Sequence, residues 1–205
     1  MKRVVLLSVF LLLTAVAARP LSAAPIIGQP LFAAGGDVTA VFLGHTAGYT
    51  NDLYLFDASD LLTPLPVTAV VGTLGQGVIF TNQTSPILVP VNLGFFAAGT
   101  ELVFGIHVRD TGYTYYLGPA SRNPDGLFHG AVDSGILPAY PFGWSSPGYI
   151  GVGFEDIFGG GDFDYDDLGF AFTNVRREVT PEPATLALFA LGAGAVGARR
   201  LRRRV

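Results

Sequence analysis

The chain has no cysteine in 205 residues, one methionine and one tryptophan, and only 14% of its residues are charged. Without cysteine it can form no disulfide scaffold, no thiolate metal site and no cysteine nucleophile. Too few Glu, Lys and Arg are present for a coiled coil, whose flanking positions need them. Disorder is excluded by the opposite test, since half of the chain is hydrophobic and 12% is aromatic. Positive charge is scarce where a nucleic acid would require it. Between Pro25 and Pro183 the basic residues are Arg109, Arg122, Arg176 and Arg177, against all sixteen acidic residues, a net charge of −12. Such a body excludes nucleic acid as a partner and suits cations.

The usual catalytic fingerprints are also missing. His45, His107 and His129 lack HExxH or any paired spacing, which argues against zinc. His107 falls opposite the core phase of its strand, and His129 reads as a polar neighbour of a turn. No Gly-x-Ser-x-Gly, phosphate loop or dinucleotide fingerprint occurs, and Gly159–Gly161 is flanked by acids that repel phosphate. The expectation is a protein that is not an enzyme.

What is present is organised into two ends and a body. Met1-Lys2-Arg3 precedes an apolar run from Val4 to Ala18, the pattern of a secretory signal peptide. The run is about 15 residues where a membrane span needs about 20. Cleavage is expected after Ala17 or Ala23; Pro25 disfavours cleavage after Ala24. At the other end Pro181-Glu182-Pro183 is followed by an uncharged stretch from Ala184 to Ala198, then by Arg199, Arg200, Arg202, Arg203 and Arg204. Small residues and snorkelling arginines extend the reach of this short apolar helix, and the arginines hold the cytoplasmic side.

In this order the three features resemble the PEP-CTERM sorting signal of Gram-negative bacteria, over about the last 26 residues. The resemblance implies transient insertion in the inner membrane and processing by an exosortase-type membrane enzyme. It also implies a destination in the cell envelope, the extracellular space or the exopolysaccharide matrix of a biofilm. The tail type is sometimes labelled after ice-binding proteins, but no flat Thr-x-Thr array is present.

The body alternates apolar and other residues with period two, as in Val38–Phe42, Leu53–Phe56, Leu102–Val108 and Leu168–Phe172. Val, Thr, Phe and Tyr are frequent in these runs, as pleated strands prefer. Turn chemistry separates them at Gly35-Gly36-Asp37, Asp110-Thr111-Gly112, Asn123-Pro124-Asp125-Gly126 and Ser146-Pro147-Gly148. Asp57 to Leu62 has room for one turn of helix. The expected fold is all-β, a two-sheet antiparallel sandwich of jelly-roll type with eight or nine strands. A signal helix would precede it and a short transmembrane helix follow. The boundaries read as signal peptide 1–24, leader 25–34, β-sandwich 35–177, linker 178–183, and sorting helix with basic tail 184–205.

One segment carries chemistry. Glu155, Asp156, Asp162, Asp164, Asp166 and Asp167 fall within thirteen residues with no Lys or Arg among them. Two carboxylates about 6 Å apart repel by roughly 0.7 kcal/mol in water, and several times more in a less polar surface site. Strand-like runs enter at Tyr149–Phe154 and leave at Leu168–Val175, so the segment is a loop between antiparallel neighbours. Three glycines let its arms fold together, and Asp162, Asp164 and Asp166 alternate to one side. A cage of hard oxygens suits Ca²⁺, with six to eight oxygen ligands. The loop is not an EF-hand, because its sixth position is Asp167 and its twelfth Thr173. Asn123 and Asp125 are candidate supporting residues from a neighbouring turn.

The stretch Gly153-Phe154-Glu155-Asp156, a glycine gap, and Asp162-Phe163-Asp164-Tyr165-Asp166-Asp167-Leu168-Gly169-Phe170 resembles domain-of-unknown-function family 4114. Further matches are Ala98–Gly105, Asn123–Gly126 and His129. Asp166 departs from the Asn usual there and adds a carboxylate. The resemblance implies a secreted β domain and names no catalytic residue. The expected function is an exported, non-enzymatic, calcium-binding β-sandwich. The alternative is a carbohydrate-binding module with structural calcium, using Tyr113, Tyr115, Tyr116, Tyr140, Trp144 or Tyr149 to stack on sugars. Glycoside hydrolysis would need an acid and a partner across a cleft, and Glu155 is the only plausible acid in the loop.

Overall fold

The computed structural model describes residues 26–67, 77–133 and 147–178. The expected signal peptide, the Pro-Glu-Pro segment, the sorting helix, the terminal arginines, Tyr140 and Trp144 lie outside these residues. No helix among the described residues is long and apolar enough to cross a membrane.

Thirteen strands form among the described residues. They are β1 (Ile26–Ile27), β2 (Leu31–Ala33), β3 (Gly36–His45), β4 (Asn51–Asp57), β5 (Asp60–Pro64), β6 (Phe80–Thr81), β7 (Pro90–Phe96), β8 (Glu101–Val108), β9 (Thr114–Tyr116), β10 (Gly130–Asp133), β11 (Tyr149–Phe154), β12 (Leu168–Thr173) and β13 (Val175–Arg177). A single 3-10 turn spans Ala120–Arg122. One sheet has the order β1-β10-β11-β12-β3-β7 and the other β13-β2-β8-β4-β5, with β6 also paired to β4 and β9 to β8. The strand pairs of both sheets are antiparallel, as the alternating sequence implied.

Period two becomes an interior and an exterior face. Along β8, Leu102, Phe104, Ile106 and Val108 enter the core while Val103, Gly105 and His107 occupy the opposite face. Along β12, Leu168, Phe170 and Phe172 do the same. One core joins both sheets, and the Phe104 and Phe172 rings stack across it with centroids 3.8 Å apart.

Three expectations are corrected. Within the expected leader 25–34, residues 26–34 do not lie outside the domain, because β1 pairs with β10 and β2 lies between β13 and β8. Asp57–Leu62 forms no helix. The Asp57 carboxylate accepts the Ser59 N–H at 2.8 Å and the Asp60 carboxylate that of Leu62 at 2.9 Å, which closes a tight turn between β4 and β5. The strands outnumber the expected eight or nine because two- and three-residue strands such as β1, β6, β9 and β13 are too short to display a period.

Candidate metal centre

The acidic segment is the connection between β11 and β12, which are antiparallel neighbours with Phe154 opposite Leu168. Its path depends on residues in the left-handed region. Gly159, Gly160 and Gly161 have φ of 93°, 83° and 55°, and Phe163 and Tyr165 follow at 62° and 58°. Two turns close it, with Gly160 N–H donating to the Ile157 carbonyl at 2.9 Å and Phe163 N–H to that of Gly160 at 3.1 Å. Two glycines are required by close approach. A Cβ at Gly153 would overlap the carbonyl of Tyr165, and one at Gly161 would lie 2.5 Å from Glu155 Oε2.

The fold divides the six carboxylates. Glu155, Asp162 and Asp164 each offer an oxygen, and these oxygens lie within 4.8 Å of one another. Glu155 is fully buried, whereas Asp162 and Asp164 are exposed. Glu155 Oε1 accepts the Tyr165 N–H at 2.6 Å. Its other oxygen, Oε2, is buried and has no hydrogen-bond partner among the described residues. Burial, aided by repulsion from Asp167, Asp162 and Asp164, pushes the carboxyl up to about 7 against the pull of the Tyr165 N–H.

Asp156 and Asp167 stand outside that group of three. Their carboxyls are hydrogen-bonded to each other, and Asp167 Oδ2 also accepts the Asp156 N–H at 2.9 Å. Asp156 Oδ2 accepts Asn51 Nδ2 at 2.7 Å. Burial raises both carboxyls, so the pair holds a proton more readily than ordinary aspartates do. Asp166 also leaves the cluster. Its Oδ1 accepts the Thr46 hydroxyl at 2.8 Å, and its N–H donates to Asp164 Oδ1 at 3.1 Å. The expectation that Asp162, Asp164 and Asp166 all point one way is therefore corrected. The left-handed turn at Tyr165 interrupts the extended backbone on which that alternation depends.

Asn123 and Asp125 support the loop rather than join it. Asn123 is nearly buried, accepting the Tyr116 N–H at 2.7 Å and donating to the Leu127 carbonyl at 2.7 Å. Asp125 Oδ2 accepts the Gly159 N–H at 2.9 Å and faces His129 Nε2 at 2.9 Å. Desolvation opposes the charge of Asp125, but these hydrogen bonds prevail and lower its pKa. His129 is wholly buried, stacked on Tyr115 at 3.8 Å, with Nδ1 3.0 Å from the Glu155 carbonyl. Both ring nitrogens therefore face oxygen atoms of the protein. Asn51 and Thr46, which sequence reading did not single out, hold Asp156 and Asp166. They sit more than a hundred residues away in sequence, on or beside strands of both sheets, and carry no local motif.

The sugar-stacking candidates among the described residues differ in exposure. Tyr115 is buried, Tyr116 and Tyr149 are half-buried, and Tyr113 is 40% exposed, its ring against Phe158 at 5.2 Å.

The described body is thus a two-sheet antiparallel protein whose β11–β12 loop gathers three carboxylates, one of which, Glu155, has a buried oxygen without a partner among the described residues. The family comparison adds the tail. Residues 179–204 match the family described as the PEP-CTERM protein-sorting motif. Such signals are processed by exosortase, a membrane enzyme, and mark an exported protein. No curated protein and no solved structure matches the chain. Nothing in the comparisons supports the resemblance of the body to family 4114.

Proposed function

We propose that the protein is a non-enzymatic, calcium-binding β-sandwich of jelly-roll type, delivered by its sorting tail to the envelope or exopolysaccharide matrix of a Gram-negative bacterium. Repeated switching of the chain between sheets supports the jelly-roll reading. One observation carries the calcium reading. Glu155 Oε2 is buried without a partner, beside Gly161 and the carboxylates of Asp162 and Asp164. A buried acceptor left unsatisfied costs about 1–3 kcal/mol, more when charged. A cation satisfies it, and no Lys or Arg stands in the loop to do so.

The dimensions fit. Oxygens bound to Ca²⁺ at 2.3–2.6 Å stand at most about 5 Å apart, in keeping with the 4.8 Å limit on this cluster. Glu155 supplies the inner ligand, Asp162 and Asp164 the outer two, and their exposure leaves room for water to complete the shell. Asp156, Asp166 and Asp167 hold the loop in shape.

The test is thermal unfolding of the full chain in EDTA and in rising Ca²⁺ or Mg²⁺. Calcium at a hundredfold excess over its Kd adds about 2.7 kcal/mol. The rise is selective for Ca²⁺ and disappears in Asp162→Ala and Asp164→Ala. An unchanged Tm in millimolar Ca²⁺ would overturn the reading and leave a solvated acidic loop.

A further inference from the structure

A second feature lies on the outer face of the other sheet, where Tyr116 is one of the residues the sequence offered for stacking on sugars. Successive outward positions of β4 are Asp52, Tyr54 and Phe56; beside them stand Gly105 and His107 of β8, and Thr114 and Tyr116 of β9. The β4–β5 hairpin forms a wall through Leu61, Leu62 and Pro64. With that wall, Tyr54, Phe56, His107, Thr114 and Tyr116 line an open cleft of about 340 Å³, within the usual size range of small-ligand sites.

The cleft is built from rings. Phe56 is nearly buried, with Tyr54 at 6.0 Å on one side and Tyr116 at 5.1 Å, edge-on, on the other. Gly105 makes this possible, because a Cβ there would come within 3.0 Å of both the Phe56 and Tyr116 rings. The Tyr116 hydroxyl is fixed by donating to the Leu61 carbonyl at 2.7 Å, which ties the wall to the sheet. His107 Nδ1 meets the Thr114 hydroxyl at 3.0 Å. Among the described residues the Tyr54 hydroxyl and His107 Nε2 have no hydrogen-bond partner.

Charge decides the class of ligand. In a body of net charge −12, no lining residue of this cleft among the described residues is acidic, Lys or Arg. The nearby Asp52 carboxylate is taken up by Arg109 through two bonds, at 2.7 and 2.9 Å. The surrounding negative field repels polyanions, and the cleft has no carboxylate for a cation. Addition of a peptide strand at the β5 edge is hindered by Pro64 and by the side-chain-capped turns at Asp57 and Asp60. Flat apolar ring faces beside neutral hydrogen-bonding groups complement one thing well, a hydroxylated ring with an apolar C–H face and a polar rim. We infer that the cleft between Tyr54, Phe56 and Tyr116 binds a neutral saccharide. The inference is independent of the metal reading, since no proposed calcium ligand lines the cleft.

The test is isothermal titration of the full chain with neutral tetra- to hexasaccharides of glucose, mannose, galactose and N-acetylglucosamine. It is run in EDTA and in Ca²⁺, with hexaproline as the peptide control. At least one saccharide series binds, equally in both buffers. Tyr54→Ala weakens binding at least tenfold while Tm stays within about 2 °C, and His107→Ala weakens it severalfold. Tyr54→Phe retains ring stacking and falls between wild type and Tyr54→Ala. Failure of every saccharide at millimolar concentration overturns the inference. So does saccharide binding unaffected by Tyr54→Ala, or Tyr54-dependent capture of hexaproline alone. A missing calcium response together with intact saccharide binding would sink the metal reading and leave this one standing.

Discussion

Glu155 and Asp156 are neighbours in sequence, equally buried, and meet opposite fates. Asp156 is answered from within the protein, by Asn51 and by Asp167. Glu155 is answered at one oxygen only, and the other faces Asp162 and Asp164 without a partner. The chain is still extended as it leaves β11, so consecutive side chains diverge. One turns toward the start of β4 and the other into the loop. A buried carboxyl whose partners are all protein groups is a structural element. One that lacks a partner implies a ligand or a proton from outside.

The contrast can be broken entirely at Gly153. Gly153→Ala drives a Cβ into the Tyr165 carbonyl, displaces the loop that holds both carboxyl groups, and costs about 3 kcal/mol. Chemical denaturation should show that loss, and the calcium response should vanish with it.

Glu155→Gln separates the two fates. Raising Glu155 to about 7 from its ordinary 4.5 corresponds to roughly 3 kcal/mol of disfavoured charge. Glutamine keeps the acceptor for Tyr165 N–H and removes the charge. Metal-free protein at pH 8 is therefore stabilised by about 1–2 kcal/mol, while the Tm rise with Ca²⁺ is lost. The same scan on Asp156→Asn should leave the calcium rise in place, because Asp156 is outside the cluster of three.

The pH dependence follows from the same carboxyls. Glu155, Asp156 and Asp167 are all raised, with burial the largest cause. Between their unfolded values near 4 and the folded value near 7 of Glu155, the native state binds more protons than the unfolded chain. Stability from these groups is full at the acid end and is lost as pH rises through the folded values. Asp125, lowered by its hydrogen bonds, works the other way and loses its contribution as pH falls. In EDTA, Tm should fall by roughly 5–10 °C from pH 4.5 to pH 7.5, and saturating Ca²⁺ should flatten the curve. A metal-free Tm that climbs across that range would contradict the assigned environments.

The smallest effect belongs to Asp166. Asp166→Ala removes the bond from Thr46 and costs about 1 kcal/mol, with the calcium rise retained.

Much of the fold was legible because period two needs only five or six residues to show itself. β3, β4, β8 and β12 all fall on runs that alternate in the sequence. The acidic loop was legible from its charge, its glycines and the strands on either side. The division within it was not. It depends on left-handed residues at Phe163 and Tyr165, which are not glycines, and on Thr46 and Asn51, supplied from more than a hundred residues away. The outer-face cleft was hidden for a similar reason. Tyr116 was legible as a possible sugar-stacking residue, but Tyr54, Phe56 and His107 lie on two other strands, and those runs read alone show only strand residues with one face out.

By itself the sequence determined the all-β class, the antiparallel β11–β12 connection, the concentration of negative charge in the body and the sorting tail. Each of these is local or compositional, set by alternation, by charge count or by residues in a short order. The tertiary structure alone decided that β1 and β2 belong to the sheets, that three carboxylates converge while three support them, and that one oxygen of Glu155 is left without a partner. Those outcomes depend on which distant strands meet and at what register, because a buried polar group is satisfied or orphaned only by the neighbours that folding brings to it.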